Sequence, residues 1–431
     1  MKILVLGGGG REHAIVWALR KTSTTPLEIY CAPGNAGIAQ IAQRIPISLD
    51  NHQSLIDFAK SQRIDLTFVG PEAPLAEGVV DRFQKAGLRI AGPIKVAAQL
   101  ESSKVFAKDF MSRHSIPTAP YRVVTGYEET MEILRSGVFG PRDHPVVIKA
   151  DGLAAGKGVV VASSTDEAEI AAARIFSGEL VPKEAAEKIV IEEAVDGTEV
   201  SLLLFCDGRD YQLMPAARDH KRIGENDTGP NTGGMGAITD NPLLDSTTLQ
   251  KIEQSIIEPT LAGAQAEGFP FQGVLFLGLM LTKDGPTVLE YNVRFGDPET
   301  QAILIRLNSD LAEVLNAVAT RSLGTVDVQW SPESSACVVL ASSGYPGKYR
   351  AGFPISGLQD VESNVQVFHA GTERTESGEF VTAGGRVLAV SSTGRDLNEA
   401  LSNCYSAVAK LHWEGMQYRR DIGRRGTGVS A

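Results

Sequence analysis

The sequence predicts an α/β protein built from a doubly wound N-terminal domain, a larger central domain with a subdomain of its own, and a small C-terminal α+β domain. Three observations lead there. The first hundred residues alternate strand-length apolar runs with amphipathic helical stretches. The β-branched runs Val146-Val147-Ile148 and Val159-Val160-Val161 flank a glycine-rich tip. Val274 to Leu281, the turn Lys283-Asp284-Gly285-Pro286 and Thr287 to Asn292 read as a long hairpin. A chain of 431 residues exceeds what one hydrophobic core organises, so two to four domains are expected.

Strand Ile3 to Leu6 runs through Gly7-Gly8-Gly9-Gly10-Arg11 into a helix from about Glu12 to Arg20. Strand Glu28 to Cys31, helix Leu55 to Ser61, strand Leu66 to Val69, helix Gly78 to Ala86 and strand Arg89 to Ile90 follow, giving a first domain over 1–102. Ligands of such a unit sit at the carboxyl ends of its strands, where Gly7 to Arg11, Pro33 to Gly37 and Gly70-Pro71-Glu72-Ala73-Pro74 fall. The second domain is expected over 103–325. Its subdomain, about 120–192, holds strands Val146 to Lys149, Val159 to Ala162 and Ile189 to Glu192, with helix Thr165 to Phe176. Ser331-Pro332-Glu333-Ser334-Ser335 reads as a linker. The third domain, 335–425, offers strand Ala336 to Leu340, the turn Gly344-Tyr345-Pro346-Gly347, strands near Val365 to Phe368 and Arg386 to Val390, and a helix from Leu397 to about His412.

A balance of 41 basic against 52 acidic residues gives a net charge of -11, which argues against nucleic-acid polymers and anionic membrane surfaces as partners. Anionic substrates must then be caught by local basic pockets. Cys31, Cys206, Cys337 and Cys404 form no metal-type or Cys-x-x-Cys spacing and read as small core residues in a reducing compartment. No segment resembles a leader and none approaches membrane-spanning length, so a cytoplasmic location is expected.

Glu290, Asn292 and Arg294 are spaced two apart, which puts them on one face of a strand. A carboxylate and an amide oxygen suit Mg²⁺ that keeps waters and phosphate oxygens as its other ligands, and a guanidinium suits an anionic oxygen beside it. A nucleoside triphosphate is the simplest client, while an ordinary strand end with an Arg-carboxylate pair is the bland alternative. Between the β-branched runs, Lys149-Ala150-Asp151-Gly152-Leu153-Ala154-Ala155-Gly156-Lys157-Gly158 is a hairpin tip. It is not a Walker A loop, because three residues separate Gly152 from Gly156 and a strand follows rather than a helix. Such a tip can wrap backbone N–H groups around phosphates while Lys149 and Lys157 neutralise them.

Gly7 to Arg11 invites a dinucleotide-binding reading that two facts oppose: the third glycine of that fingerprint would fall at Glu12, and Cys31-Ala32-Pro33 offers no acid for a ribose. The helix start suits a phosphate monoester together with Arg11 instead. Glu192-Glu193-Ala194-Val195 ends a strand and Glu199 follows one turn later, a strand edge able to present backbone groups to an adenine and a carboxylate to ribose hydroxyls; surface carboxylates are the simpler reading of these residues alone. Asp219-His220-Lys221-Arg222 and Thr228-Gly229-Pro230-Asn231-Thr232-Gly233-Gly234-Met235-Gly236 form a long polar loop of the kind that a ligand orders. His13 and His369 have no metal-type partner at useful spacing and read as structural.

Together these segments resemble the glycinamide ribonucleotide synthetase family, the phosphoribosylamine-glycine ligases of the ATP-grasp superfamily. The resemblance covers nearly the whole chain. Its most specific element is Arg294-Phe295-Gly296-Asp297-Pro298-Glu299-Thr300-Gln301, supported by Gly9-Gly10-Arg11-Glu12-His13, Pro33-Gly34-Asn35-Ala36-Gly37, Val69 to Leu75, Asp151 to Gly158, Asp219 to Arg222, Asp227 to Gly236 and Gly384-Gly385-Arg386-Val387. It implies a pre-ATP-grasp domain, an ATP-grasp domain with a mobile lid, and a C-terminal domain that closes the site. The implied reaction joins glycine to 5-phosphoribosylamine with ATP, through a glycyl phosphate.

Carried over residue by residue, the resemblance implies that Lys104, Lys149, Gly152, Gly156, Lys157 and Gly158 meet the ATP phosphates. It assigns Glu192, Glu193 and Val195 to the adenine, Glu199 to the ribose, and Glu290 with Asn292 to Mg²⁺ or Mn²⁺. It makes Arg294, Asp219 and Lys149 catalytic. Gly9, Gly10, Arg11, Asn35, Glu72, Asp219, Lys221 and Arg294 are the implied substrate contacts. A monomer, or at most a weak dimer, is expected. Gly8, Arg218 and Arg424 depart from the residues most common in the family. Two alternatives share part of these signals: another ATP-grasp ligase or carboxylase, and a non-catalytic nucleotide-binding scaffold.

Overall fold

The computed structural model describes residues 1–153 and 158–424. Strands Lys2–Gly7, Glu28–Pro33, Gln43–Arg44, Leu66–Val69 and Ile90–Ala91 form a parallel sheet in the order third, second, first, fourth, fifth. The order reverses beside the first strand, so the loops after Gly7, Pro33 and Val69 open on one edge, as the doubly wound reading requires. Helices Gly10–Thr22, His52–Gln62 and Val79–Lys85 cover this sheet, burying Ile15, Leu19, Leu55, Ala59, Val80 and Phe83.

The central subdomain is a four-stranded antiparallel sheet in the order Tyr121–Thr125, Lys188–Glu193, Val146–Ala150, Val159–Ala162. Helices Tyr127–Arg135 and Thr165–Phe176 pack on it, and the apolar faces meet through Met131, Leu134, Ile148, Ala168, Ala172 and Ile175. Thr165–Phe176 matches the sequence expectation and is capped by Ser164, whose side chain accepts from Glu167 N. The fourth strand, Tyr121–Thr125, is an addition: it is short, and Val124 is its one buried residue, so it carries no regular apolar alternation.

A ten-stranded sheet spans the rest of the chain. Its path runs Gly285–Asn292, Gln272–Thr282, Thr198–Asp207, Ala217–Asp219, Gly236–Thr239, Ser334–Ser342, Arg386–Gly394, Val365–His369. The C-terminal strands therefore continue the central sheet through the pairing of Gly236–Thr239 with Ser334–Ser342, from Gly236 opposite Val338 to Thr239 opposite Ser335. The expected linker is shortened accordingly. Ser334 and Ser335 are buried strand residues, and the Ser335 hydroxyl donates to Ala302 O at 2.7 Å. The last helix is also shorter than expected, Leu397–Val408, because His412 leaves it to exchange backbone hydrogen bonds with Ser356. Among the described residues no helix is long and apolar enough to cross a membrane.

Candidate active site

The hairpin predicted from the sequence is Gln272–Thr282 paired with Gly285–Asn292. Its register shifts between Gly278 and Leu279, so Gly278 lies opposite Glu290. A side chain at Gly278 would begin 3.1 Å from Glu290 Cγ, so the glycine makes room for the carboxylate. Asn292 closes the strand. Arg294 lies beyond it and still turns to the same side, its Nη2 reaching Asn292 Oδ1 at 3.3 Å.

Cations from three separate elements converge on Glu290. Lys104 opens helix Lys104–Arg113, where Ser103 caps Phe106 N at 3.0 Å, and its Nζ lies 3.8 Å from Glu290 Oε2. Asp151, at the base of the glycine-rich tip, accepts from Ser103 Oγ at 2.9 Å and from Val105 N at 3.2 Å, tying that tip to the same helix start. Lys149 donates to Leu289 O at 2.9 Å and pairs with Glu192 Oε1 at 2.8 Å. Lys221 pairs with Glu199. Burial alone would raise the Glu290 carboxyl, but Lys104, Lys221, Lys149 and Arg294 more than offset this and hold it at about 2. Glu290 is thus an anion at neutral pH, with its nearest cation at a loose distance.

Glu192 is bridged from its other side by Lys108, which the sequence reading overlooked. Lys108 Nζ lies 2.9 Å from Glu192 Oε2 and donates to Thr118 Oγ1 at 2.7 Å; burial lowers its ammonium to about 8. Glu192 is 1% exposed, so its side chain braces Lys149 and Lys108, while its strand Lys188–Glu193 is paired on both edges, with Tyr121–Thr125 and with Val146–Ala150. Glu193 and Val195 lie at the end of that strand, half-buried, with Glu193 N donating to Pro120 O at 3.0 Å.

Arg294 is held by two carboxylates, Glu101 at 2.8 Å and Glu72 at 3.2 Å, and also donates to Phe295 O at 3.2 Å. Glu101 was not anticipated. It is 4% exposed and its other oxygen accepts from Val293 N at 2.8 Å, so it locks the backbone that carries Arg294. Glu72 is kept ionised at about 2: burial raises it, and Arg294 with Arg11 lowers it further. Asp219 and Glu299 sit close enough to repel. Burial and then the Glu299 charge push the Asp219 carboxyl well above its ordinary range, against Lys221, while burial raises Glu299, whose Oε1 accepts from Ser201 Oγ at 3.3 Å.

The N-terminal loops form the neighbouring wall. Gly7, Gly9 and Gly70 are glycine because Glu12 fills the space beneath them, and its Oε2 accepts from Gly9 N at 2.7 Å. Glu12 thus occupies the position where a dinucleotide fingerprint needs a glycine. Arg11 donates to Glu12 at 2.6 Å and to Phe295 O at 3.1 Å, which ties the loop to the Arg294 segment. Gly10 packs on the Gln301 side chain. The Asn35 amide donates to Gly8 O at 2.9 Å and His369 O at 2.7 Å, while its oxygen accepts from Gly37 N at 3.0 Å and Ile38 N at 2.9 Å. The structural reading of His13 and His369 agrees with their geometry: both are buried, and His13 Nδ1 accepts from His369 N at 2.8 Å.

The structure therefore gathers Lys104, Lys149, Lys221, Glu199, Asp219, Glu290, Asn292 and Arg294 on one side, with Arg11 and Glu72 joined to them through Arg294. Gly9, Gly10 and Asn35 lie beyond Arg11 against the C-terminal strands. Gly152 and Gly158 are at the base of the tip, where Ala150 N donates to Gly158 O at 2.8 Å; Gly156 and Lys157 lie outside the described residues. The overlooked Glu101, Lys108, Glu299 and Arg386 carry no local spacing signal. Glu299 and Arg386 stand inside motifs already noted, and that was the signal available for them.

Residues 1–101 match the N domain of phosphoribosylglycinamide synthetase, 102–300 its ATP-grasp (A) domain and 335–425 its C domain. A phosphoribosylamine–glycine ligase of Vibrio vulnificus is 46% identical over 429 residues, covering 99% of this chain and 98% of that protein. The crystal structure of phosphoribosylamine–glycine ligase from Thermotoga maritima superposes with a TM-score of 0.85 at 35% identity, covering 98% of this chain and 100% of that one. A biotin carboxylase from Campylobacter jejuni, solved as a beta-gamma-ATP complex, shares the fold at a TM-score of 0.69 and 16% identity, over 97% of this chain and 92% of its own. With all three domains matched in order and nearly half of the residues shared end to end, the chain belongs to the phosphoribosylglycinamide synthetase family.

Proposed function

We propose that this chain joins glycine to 5-phosphoribosylamine, converting ATP to ADP and phosphate and yielding glycinamide ribonucleotide, an early step of purine synthesis. The observation that carries the reading is the ionised Glu290 beside Asn292, ringed by Lys104, Lys149, Lys221 and Arg294, on a chain whose relatives bear this activity end to end. A free carboxylate does not acylate an amine at neutral pH, so it must first be activated. One oxygen of the glycine carboxylate attacks the γ-phosphorus and the bond to ADP breaks. The amine nitrogen then attacks the carbonyl carbon, the C–O bond to phosphate breaks, and the nitrogen loses a proton.

In this reading Lys104 and Lys149 lie along the phosphates, with Gly152 and Gly158 at the base of the tip beside them. The strand backbone from Glu192 to Val195 takes the adenine, and Glu199 the ribose. Asp219, Lys221 and Arg294 hold glycine, while Gly9, Gly10, Arg11 and Glu72 hold phosphoribosylamine. Asn35, with its amide committed to backbone partners, shapes that loop.

The donors suit a divalent cation shared with the nucleotide: Glu290 is ionised, Asn292 adds an amide oxygen, and among the described residues no group of three or more His, Cys, Asp or Glu side chains could hold a metal by itself. Magnesium or manganese bound there would neutralise charge on the transferred phosphoryl group. A cytoplasmic location and a monomer, or at most a weak dimer, complete the reading. Glycine labelled with oxygen-18 in its carboxylate tests it by mass spectrometry: label is expected in inorganic phosphate in step with product. Unlabelled phosphate at full turnover would refute the glycyl phosphate route.

A further inference from the structure

Arg386 comes from the C-terminal strands and reaches across two boundaries of the molecule at once. Its Nη2 donates to Asp297 Oδ2 at 2.9 Å, and its Nη1 donates to Asp297 O at 2.9 Å and to the carbonyl of Gly233. Asp297 is fixed from behind by Gln301 Nε2 at 2.7 Å. On the same turn, Gly233 N donates to the Tyr345 hydroxyl at 3.0 Å, so the C-terminal domain holds Gly233 by both its carbonyl and its N–H.

Each end of this brace leads to a different substrate loop. Gly234 has φ +104°, a conformation that favours glycine, and a side chain there would begin 2.8 Å from Asp219 Oδ1. Gly234 N donates to Thr232 Oγ1 at 2.9 Å, and the same hydroxyl donates to Lys221 O at 2.8 Å. Moving the Gly233–Gly234 turn therefore moves Asp219 and Lys221. At the other end, a side chain on Gly9 would begin 3.8 Å from Asp297 Oδ2, so Asp297 backs the N-terminal glycine loop.

We propose that Arg386 is a positioning residue that sets the distance between the two reacting partners, the acyl phosphate on the Asp219 side and the amine on the Gly9 side. This rests on the ligase reading above. The arrangement gives Arg386 a role in the second half-reaction beyond any contribution to stability. Without the brace the acyl phosphate still forms, but the amine no longer meets it in line and water takes its place. Water then attacks the carbonyl carbon, the C–O bond breaks, phosphate leaves, and glycine is regenerated with a proton released, so ATP is spent without product.

The test is the ratio of ADP released to glycinamide ribonucleotide formed, with glycine and freshly made phosphoribosylamine. The native enzyme is expected to give a ratio near one. In Arg386→Gln, product formation is expected to fall by about 10²-fold, the scale of a small misplacement of reacting atoms, while glycine-dependent ADP release falls much less. Arg386→Lys, which keeps the charge without the fork, and Tyr345→Phe, which loses the acceptor for Gly233 N, are expected to show smaller rises in the same ratio and keep the test open if Arg386→Gln does not fold. General loss of structure lowers both quantities together. A ratio that stays at one in every folded variant while rates fall overturns the proposal. A native enzyme that makes no product from these substrates overturns the ligase reading itself.

Discussion

Glu290 and Asn35 are both polar residues at the ends or edges of strands, yet their surroundings differ. Glu290 has its nearest cation at 3.8 Å, whereas Asn35 satisfies four backbone groups at 2.7 to 3.0 Å. Hydrogen-bonding capacity left unspent beside convergent charge marks where a ligand completes the structure. Capacity spent on backbone marks the frame that holds it.

The largest effect expected from this contrast is in catalysis. Glu290→Gln should lower turnover by about 10²- to 10³-fold, the scale for losing one preorganised charge contact, while leaving the thermal midpoint close to native. A variant that kept near-normal activity at ordinary Mg²⁺ would break the comparison on the ligand side. Asn35→Ala should do the opposite, costing roughly 2–3 kcal/mol of stability for its lost hydrogen bonds, as read by denaturant unfolding. An unchanged unfolding curve with a raised KM for phosphoribosylamine would move Asn35 to the ligand side.

The frame also has its own pH dependence. Burial, then the charge of His369, lowers His13 to about 3, and burial lowers His369 to about 4, with Arg374 adding to the effect. Both rings are neutral in the fold, so the unfolded chain binds the extra protons. The stabilisation is complete above the unfolded value of 6.5 and is lost as pH falls toward the folded values. Roughly 1 kcal/mol per histidine should be gone by pH 5.5. His13→Gln should flatten that slope in a series of unfolding curves, and an unchanged slope would remove the pair from the frame. The smallest effect is expected at Gly278→Ala. The added methyl, 3.1 Å from Glu290 Cγ, should raise the Mg-ATP concentration for half-maximal rate about fivefold, near 1 kcal/mol of crowding. No change would mean that Glu290 shifts freely at that point.

The sequence was most legible where one segment carries its own signal. Val159–Ala162 is a continuous apolar run, Leu66–Val69 is rich in β-branched and aromatic residues, and Thr165–Phe176 has a serine cap and an apolar face, so the sequence places all three with their correct ends. The Glu290–Asn292–Arg294 alternation brought those side chains to one side even though Arg294 lies past the strand. What stayed hidden depends on distant partners. Glu101 is recognised only through Val293 and Arg294, 192 residues further along for the first of these. Arg386 stands in a motif the sequence does show, but its role depends on Gly233 and Asp297, which lie far away along the chain. The merging of central and C-terminal sheets rests on the register of Gly236–Thr239 with Ser334–Ser342, which no periodicity encodes.

That register has a consequence for how the chain comes to be made. During synthesis Gly236–Thr239 emerges long before Ser334–Ser342 exists to pair with it, and until then the central sheet ends in a bare row of N–H and C=O groups. An open edge of this kind is a template for any extended chain nearby. A nascent or truncated polypeptide ending near Ser331 would thus be adhesive, and arrival of the last hundred residues, in addition to framing the site, caps the sheet and makes the molecule safe to release.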